Sequence, residues 1–253
     1  MNSFLETLGD LISQMKDTQQ NAVEQAASLG AEAIRNDGWV HFFGSGHSVI
    51  PVHEAFPRYG VFVGLHPLTD PRLMWFNVLG PGGVRELLWL EREEGYVEKY
   101  LDHQPLAPGD VLVVFSHSGR NSAPVEAAMY ARERGLSVVA VTAKANLSRP
   151  AGHSSGKFTA DLADVVIDTG APVEDAVVHL EGWGAPLGGV STILACAVTV
   201  ELVTRIAANL LESGITMPTF VSPTVPGASV EANDAVFEVF QERLFRSNLR
   251  PRN

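Results

Sequence analysis

Apolar residues recur along this chain in two alternating spacings. From Ser3 to about residue 36 the spacing is helical: Phe4, Leu8, Leu11, Ile12 and Met15, then, past a polar patch, Val23, Ala26, Ala27 and Ile34. Ser3 and Glu6 have the S-x-x-E spacing of a capping box. The segment reads as one broken helix or two, expected both to cover the sheet and to act as a dimerisation arm. Short continuous apolar runs then predict buried strands at Trp39–Phe43, Val61–Leu65, Val111–Phe115, Ser137–Thr142 and Val165–Asp168. Helical patterns lie between and after them: from GSGHS to about Tyr59, over 93–103, at Ala123–Arg134, at Val190–Glu212, and from about Ser229 to Phe245 behind a proline-bearing connector, 217–227. Residues 66–84, 144–157 and 169–189 read as loops. Apolar strands alternating with helices predict an α/β fold, a three-layer sandwich with a parallel sheet covered on both faces. No repeat or linker divides the chain, so 1–253 is expected to be one domain: a helical arm (1–37), a sheet core (38–215) and a C-terminal helix (216–253).

Charge narrows the function. The formal net charge of −11 argues against nucleic acid as a partner, because such a binder needs a basic face. An anion would have to be held by local donors instead. The single cysteine, Cys196, excludes an intramolecular disulfide and fits a reducing compartment. The opening MNSFLETLGD has no basic n-region, so a cytoplasmic location is expected. Gly182 to Val200 lacks charges but carries several glycines and Pro186. It reads as a loop plus a buried helix, not a membrane span.

Two strand-to-helix corners share a composition: Gly44-Ser45-Gly46-His47-Ser48 and Ser116-His117-Ser118-Gly119-Arg120-Asn121-Ser122. Glycine lets the backbone turn with positive φ and approach a ligand. A helix start supplies unpaired N–H groups, and serine and asparagine add neutral donors. Together they make an anion cradle without a lysine. The G-x-G-x-x-G fingerprint is absent, since Val49 stands at its third glycine, and no acid follows the second strand, so a nucleotide is the poorer reading.

The stretches FGSGHS with HEAFPRYG, and VVFSHSGRNSAPVEAA, resemble the sugar isomerase (SIS) domain, and most of all its bacterial single-domain branch. The likeness runs from about residue 5 to 245 and takes in HSSGK and LADVVIDTGAP. It implies a five-stranded parallel sheet, a homodimer or homotetramer, and a phosphorylated sugar or amino sugar as ligand. The phosphate would be held by Ser116, Ser118 and the Asn121 position, with Ser48 from the first corner. SIS domains commonly have Ser or Thr where this chain has Asn121; Arg120 beside it offers the alternative of gripping a carboxylate or sulfate.

Aldose–ketose isomerisation moves a proton between adjacent carbons through an enediolate and needs a base and a group that polarises oxygens. Glu54, six residues past Ser48, is the candidate base, with burial near Val52 and Phe56 expected to raise its pKa; its bland alternative is an i,i+4 pair with Arg58. His153 and Lys157 in HSSGK are candidates for ring opening and for neutralising an alkoxide. His47 and His117 sit inside the corners, His179 is a further acid/base candidate, and Trp75 could stack on a sugar ring. The eight histidines show no metal-ligand spacing, so neither metal nor cofactor is expected. Three readings follow: a sugar-phosphate isomerase, or a related lyase or deaminase; a non-catalytic phosphosugar sensor acting on a partner protein; and a carbohydrate-binding oligomer that has lost catalysis. About 36 residues ahead of the first strand are too few for an arm plus a helix-turn-helix domain, which disfavours direct transcriptional control.

Overall fold

In the computed structural model, which describes residues 3–74 and 83–249, five strands form one parallel sheet in the order β2-β1-β3-β4-β5. They are β1 Val40–Gly44, β2 Leu65–Leu68, β3 Val111–Phe115, β4 Ser137–Thr142 and β5 Val165–Asp168. Alternate side chains enter two cores, as strand pleating requires. Val40, Phe42, Val111, Val113 and Val139 pack with helices α1 (Phe4–Arg35), α2 (Val49–Ala55) and α7 (Ser191–Glu212). Phe43, Leu112, Val114 and Val138 face α3 (Gly83–Leu90), α4 (Tyr96–Leu101), α5 (Ser122–Glu133) and α6 (Thr159–Leu162). The last helix, α8 (Val230–Ser247), packs Phe240 against Trp39 and Phe56.

Several elements differ from the sequence reading. α1 is a single unbroken helix of 32 residues, opened by the Ser3–Glu6 capping box. Its polar patch is the solvent face, while Val23, Ala26, Ala27 and Ile34 are buried. α2 ends at Ala55, not near Tyr59, because Phe56 precedes a proline and is extended. The second strand is Leu65–Leu68 and not Val61–Leu65: Gly64 turns with φ 129°, and Phe62 instead bridges Thr219 of the connector. α3 falls where no helix was expected. The loop 169–189 holds a small antiparallel hairpin, β6 (Ala176–Val178) with β7 (Leu187–Gly189). Trp75 lies outside the described residues. α7 is long and apolar enough to cross a membrane by length and composition; here it packs against α1 and α2, with Leu194, Val198, Leu202 and Ile206 buried.

At the N-terminal end of the sheet three polar side chains are buried together. His41 Nδ1 lies 3.0 Å from His66 Nδ1, and His41 Nε2 lies 3.2 Å from Asp110 Oδ2. Asp110 also accepts from the backbone N–H groups of Trp39 and Ala107. Desolvation, then the neighbouring His41, pushes the His66 pKa down to about 3.

Candidate functional site

The site follows from strand order. In a doubly wound sheet of this order the chain reverses direction between β1 and β3, and ligands bind beyond the carboxyl ends of the strands at that point. Gly44 is paired with Phe115, so the two corners leave the sheet side by side. Glycine is required at both turns. Gly46 and Gly119 each have φ 62°, a conformation L side chains rarely adopt. At Gly44 an added Cβ would stand 2.1 Å from Ser48 O, so no side chain fits there.

A cavity of about 520 Å³ opens between the corners, within the range of small-molecule sites. The first corner contributes His47 and Ser48, the second Ser116 and His117; Thr169 adds a hydroxyl from beyond β5. The far wall is the start of α7, with Ser191 and Thr192, and Asp175 just before β6. Four strand or helix ends, those of β1, β3 and β5 and the start of α7, therefore bring small hydroxyls and backbone donors to one space. Ser116 Oγ accepts from Gly119 N (3.0 Å), which leaves its O–H to donate outward. His117 Nε2 lies 3.3 Å from Val173 O. The amide Nδ2 of Asn146 lies 3.4 Å from the same nitrogen.

The other expected binding residues do not line this cavity. Ser45 Oγ and Asn121 Nδ2 each donate at 3.0 Å to Glu91, and Ser122 Oγ, fully buried, donates to Arg92 O. Arg120 backs onto the 149–158 loop: its carbonyl accepts from Gly152 N, and its Nε is buried with no partner among the described residues. Ser118 stands beside the lining at the turn of the second corner.

The candidate catalytic residues lie further off. Glu54 is a third exposed and ion-paired with Arg58, the i,i+4 contact that the spacing allowed. The burial expected for it is not found, because α2 presents Val52 and Ala55 inward instead. It lies close to Cys196 of α7, whose thiol is pushed up to about 11 by burial first and by the Glu54 charge second. His153 is tucked against α5, with Nε2 3.6 Å from Glu126 Oε1 and 3.7 Å from Glu94 Oε2. Lys157 and His179 are exposed outside the lining. Among the described residues no cluster of three or more His, Cys, Asp or Glu could hold a metal ion.

Two carboxylates escaped the sequence reading. Glu91, just past α3, is 7% exposed and ties the corners together through Ser45 and Asn121. Burial raises its pKa; the bonds from Ser45 and Asn121 and the Arg92 charge oppose that. Asp175 Oδ1 accepts from Val190 N (2.9 Å) and Ser191 N (2.7 Å), so the side chain that caps the start of α7 is that of Asp175. The only sequence signal for Asp175 was an acid in the loop ahead of Gly188-Gly189; for Glu91 there was none, since its partners lie 30 and 46 residues away.

Strand order, paired glycine corners and a cavity at the reversal point define a doubly wound α/β protein with a candidate ligand cavity at the carboxyl edge of the sheet. The chain belongs to the SIS-domain family, whose profile matches residues 3–143. A UPF0309 protein of Streptomyces coelicolor is 36% identical over 243 residues, which span 96% of this chain and 95% of that protein. A UPF0309 protein of Listeria monocytogenes serotype 4b is 31% identical over 245 residues, 96% of this chain and 97% of that one. Among solved structures, phosphoheptose isomerase from Neisseria gonorrhoeae shares the fold with a TM-score of 0.53 and 20% identity, covering 80% of this chain and 94% of its own. The Francisella tularensis phosphoheptose isomerase has the same TM-score at 16% identity.

Proposed function

We propose that this protein binds a phosphorylated sugar or amino sugar in the cavity between its two corners and interconverts its aldose and ketose forms by proton transfer through an enediolate. The observation that carries the reading is the pairing of Gly44 with Phe115, which brings the two serine-glycine corners to one cavity of about 520 Å³. Ser48, Ser116 and the neighbouring Ser118 donate to the phosphate, and the glycine turns let the backbone close on it. Among the histidines, His47 and His117 line the cavity and are the proton carriers best placed for ring opening. In this reading the catalytic roles of Glu54, His153 and Lys157 require them to reach the ligand from outside the lining.

That last point favours the second reading, a phosphosugar sensor without turnover, because the three residues expected to do chemistry all lie off the cavity. One pair of measurements separates the two. Sugar phosphates, the free sugars and inorganic phosphate are screened for their effect on Tm. At a hundredfold excess over Kd, a ligand that binds only the folded state adds about 2.7 kcal/mol, a rise of roughly 5–10 °C for a chain of this size. Ser118→Ala is expected to weaken phosphorylated ligands and leave free sugars unchanged; equal loss for both would refute the cradle. Hits are then incubated in D2O and followed by NMR. Deuterium at the carbon beside the carbonyl reports the enediolate, and its loss in Glu54→Gln with binding intact would make Glu54 the base. Binding without exchange in the wild type means the sensor. Assembly as a homodimer is part of the proposal, supported by Leu5 and Ile12 of α1 and Ile193 and Val200 of α7, which are left exposed.

A further inference from the structure

Asp175 stands where a cradle for an anion has least use for a carboxylate. It lines the same cavity as Ser48 and Ser116. Its backbone is left-handed, φ 64°, one of two such non-glycine residues among those described, a conformation Asp tolerates at a cost and that clusters at functional sites. Four bonds hold it there. Its N–H donates to Pro172 O, its carbonyl accepts from Val190 N, and Oδ1 accepts from Val190 N and Ser191 N. Oδ2 is different. It has no donor and no cationic partner among the described residues. It also needs the room left by Gly189, where an added Cβ would come within 2.9 Å.

A carboxylate fastened by one oxygen, with the other free inside a ligand cavity, is an acceptor built for a donor that arrives with the ligand. We infer that Asp175 is a specificity residue: it reads a hydrogen-bond donor on the part of the ligand remote from the phosphate, and it favours a free ammonium over a hydroxyl there. This rests on the phosphosugar reading of the cavity. The ligand is then bipolar, its anion against the serine corners and its donor against the hairpin. The charge of Asp175 also repels a second anion, which disfavours sugar acids and bisphosphates. An ammonium adds charge assistance to the bond and is expected to gain about tenfold in affinity over a hydroxyl.

The test measures Kd by calorimetry for inorganic phosphate, glucose 6-phosphate, glucosamine 6-phosphate and N-acetylglucosamine 6-phosphate. The wild type is expected to bind glucosamine 6-phosphate about tenfold more tightly than the other two esters. In Asp175→Asn the amide oxygen still accepts from Val190 N and Ser191 N, so the α7 start persists, but Oδ2 becomes a donor. The amine preference is expected to vanish, with inorganic phosphate bound as well as before or better. Gly189→Ala, which leaves Asp175 in place but crowds Oδ2, is expected to lose the same preference. A wild type without amine preference, or one that keeps it in both variants, overturns the inference. So does an equal weakening of all four ligands in both variants, which would mark Asp175 as a purely structural cap. Failure of inorganic phosphate and all esters to bind the wild type refutes the phosphosugar reading itself, and this inference with it.

Discussion

His66 carries a stability prediction that can be worked through. It sits on β2 with His41 of β1 and Asp110 beneath it, 8% exposed, and its imidazole is held neutral to about pH 3 against an ordinary value of 6.5. The charged form would have to be buried beside His41, which explains the sign. Between those two values the unfolded chain binds a proton that the folded chain refuses, so folding stability rises with pH across this window and is complete above 6.5. The slope is about 1.4 kcal/mol per pH unit, which amounts to about 2 kcal/mol lost by pH 5 and about 5 kcal/mol by pH 3. Carboxylates add their own losses below pH 5, so the histidine must be isolated by difference. His66→Gln can still exchange a hydrogen bond with His41 Nδ1 and removes the titration. Thermal unfolding at pH 7.5, 6.5, 5.5 and 5.0 is expected to show the wild-type Tm falling roughly 4–8 °C between pH 6.5 and 5.0 from this residue, with the variant curve flatter by that amount. Parallel curves would refute the reasoning and place the neutral histidine elsewhere.

Two further outcomes follow from the corners. Gly44→Ala puts a methyl 2.1 Å from Ser48 O, so the first corner must move; a loss of about 1–3 kcal/mol is expected from overpacking, together with loss of any Tm response to inorganic phosphate, and a variant as stable and responsive as wild type would contradict the geometry. Glu91→Ala leaves Ser45 and Asn121 without their shared acceptor and is expected to cost about 1–3 kcal/mol in urea unfolding. Because burial raises the Glu91 pKa, its ionised form is disfavoured in the fold, so the destabilisation is expected to be larger at pH 5 than at pH 8.

Glu91 and Asp175 show why parts of the site were not legible in the chain. Each acts on groups brought to it by tertiary structure: Glu91 on residues 45 and 121, Asp175 on residues 190 and 191. Neither shares a helix face or strand with its partners, so no periodicity exposes it. Glu54 shows the converse. Its i,i+4 contact with Arg58 was local and could be read in advance, whereas its distance from the cavity could not. His153 was expected at the site because it lies in a loop past β4, yet that loop folds outward over α5 and spends the imidazole on Glu94 and Glu126.

The amino-acid order by itself determined β3, β4 and β5 to the residue, the two glycine turns, the two-sided burial of the sheet and the Ser3–Glu6 cap. These depend on interactions within a few residues, where side-chain period, φ preference and capping act directly. Where β2 begins, that α1 runs unbroken, and which corner groups face the cavity were decided in three dimensions. Phe62 of the expected second strand bridges Thr219 of the connector while the chain turns at Gly64, and the register of β1 on β3, with Gly44 opposite Phe115, sets the corners side by side. Such choices depend on contacts between segments tens of residues apart, whose cost and reward appear only when the chain has closed on itself.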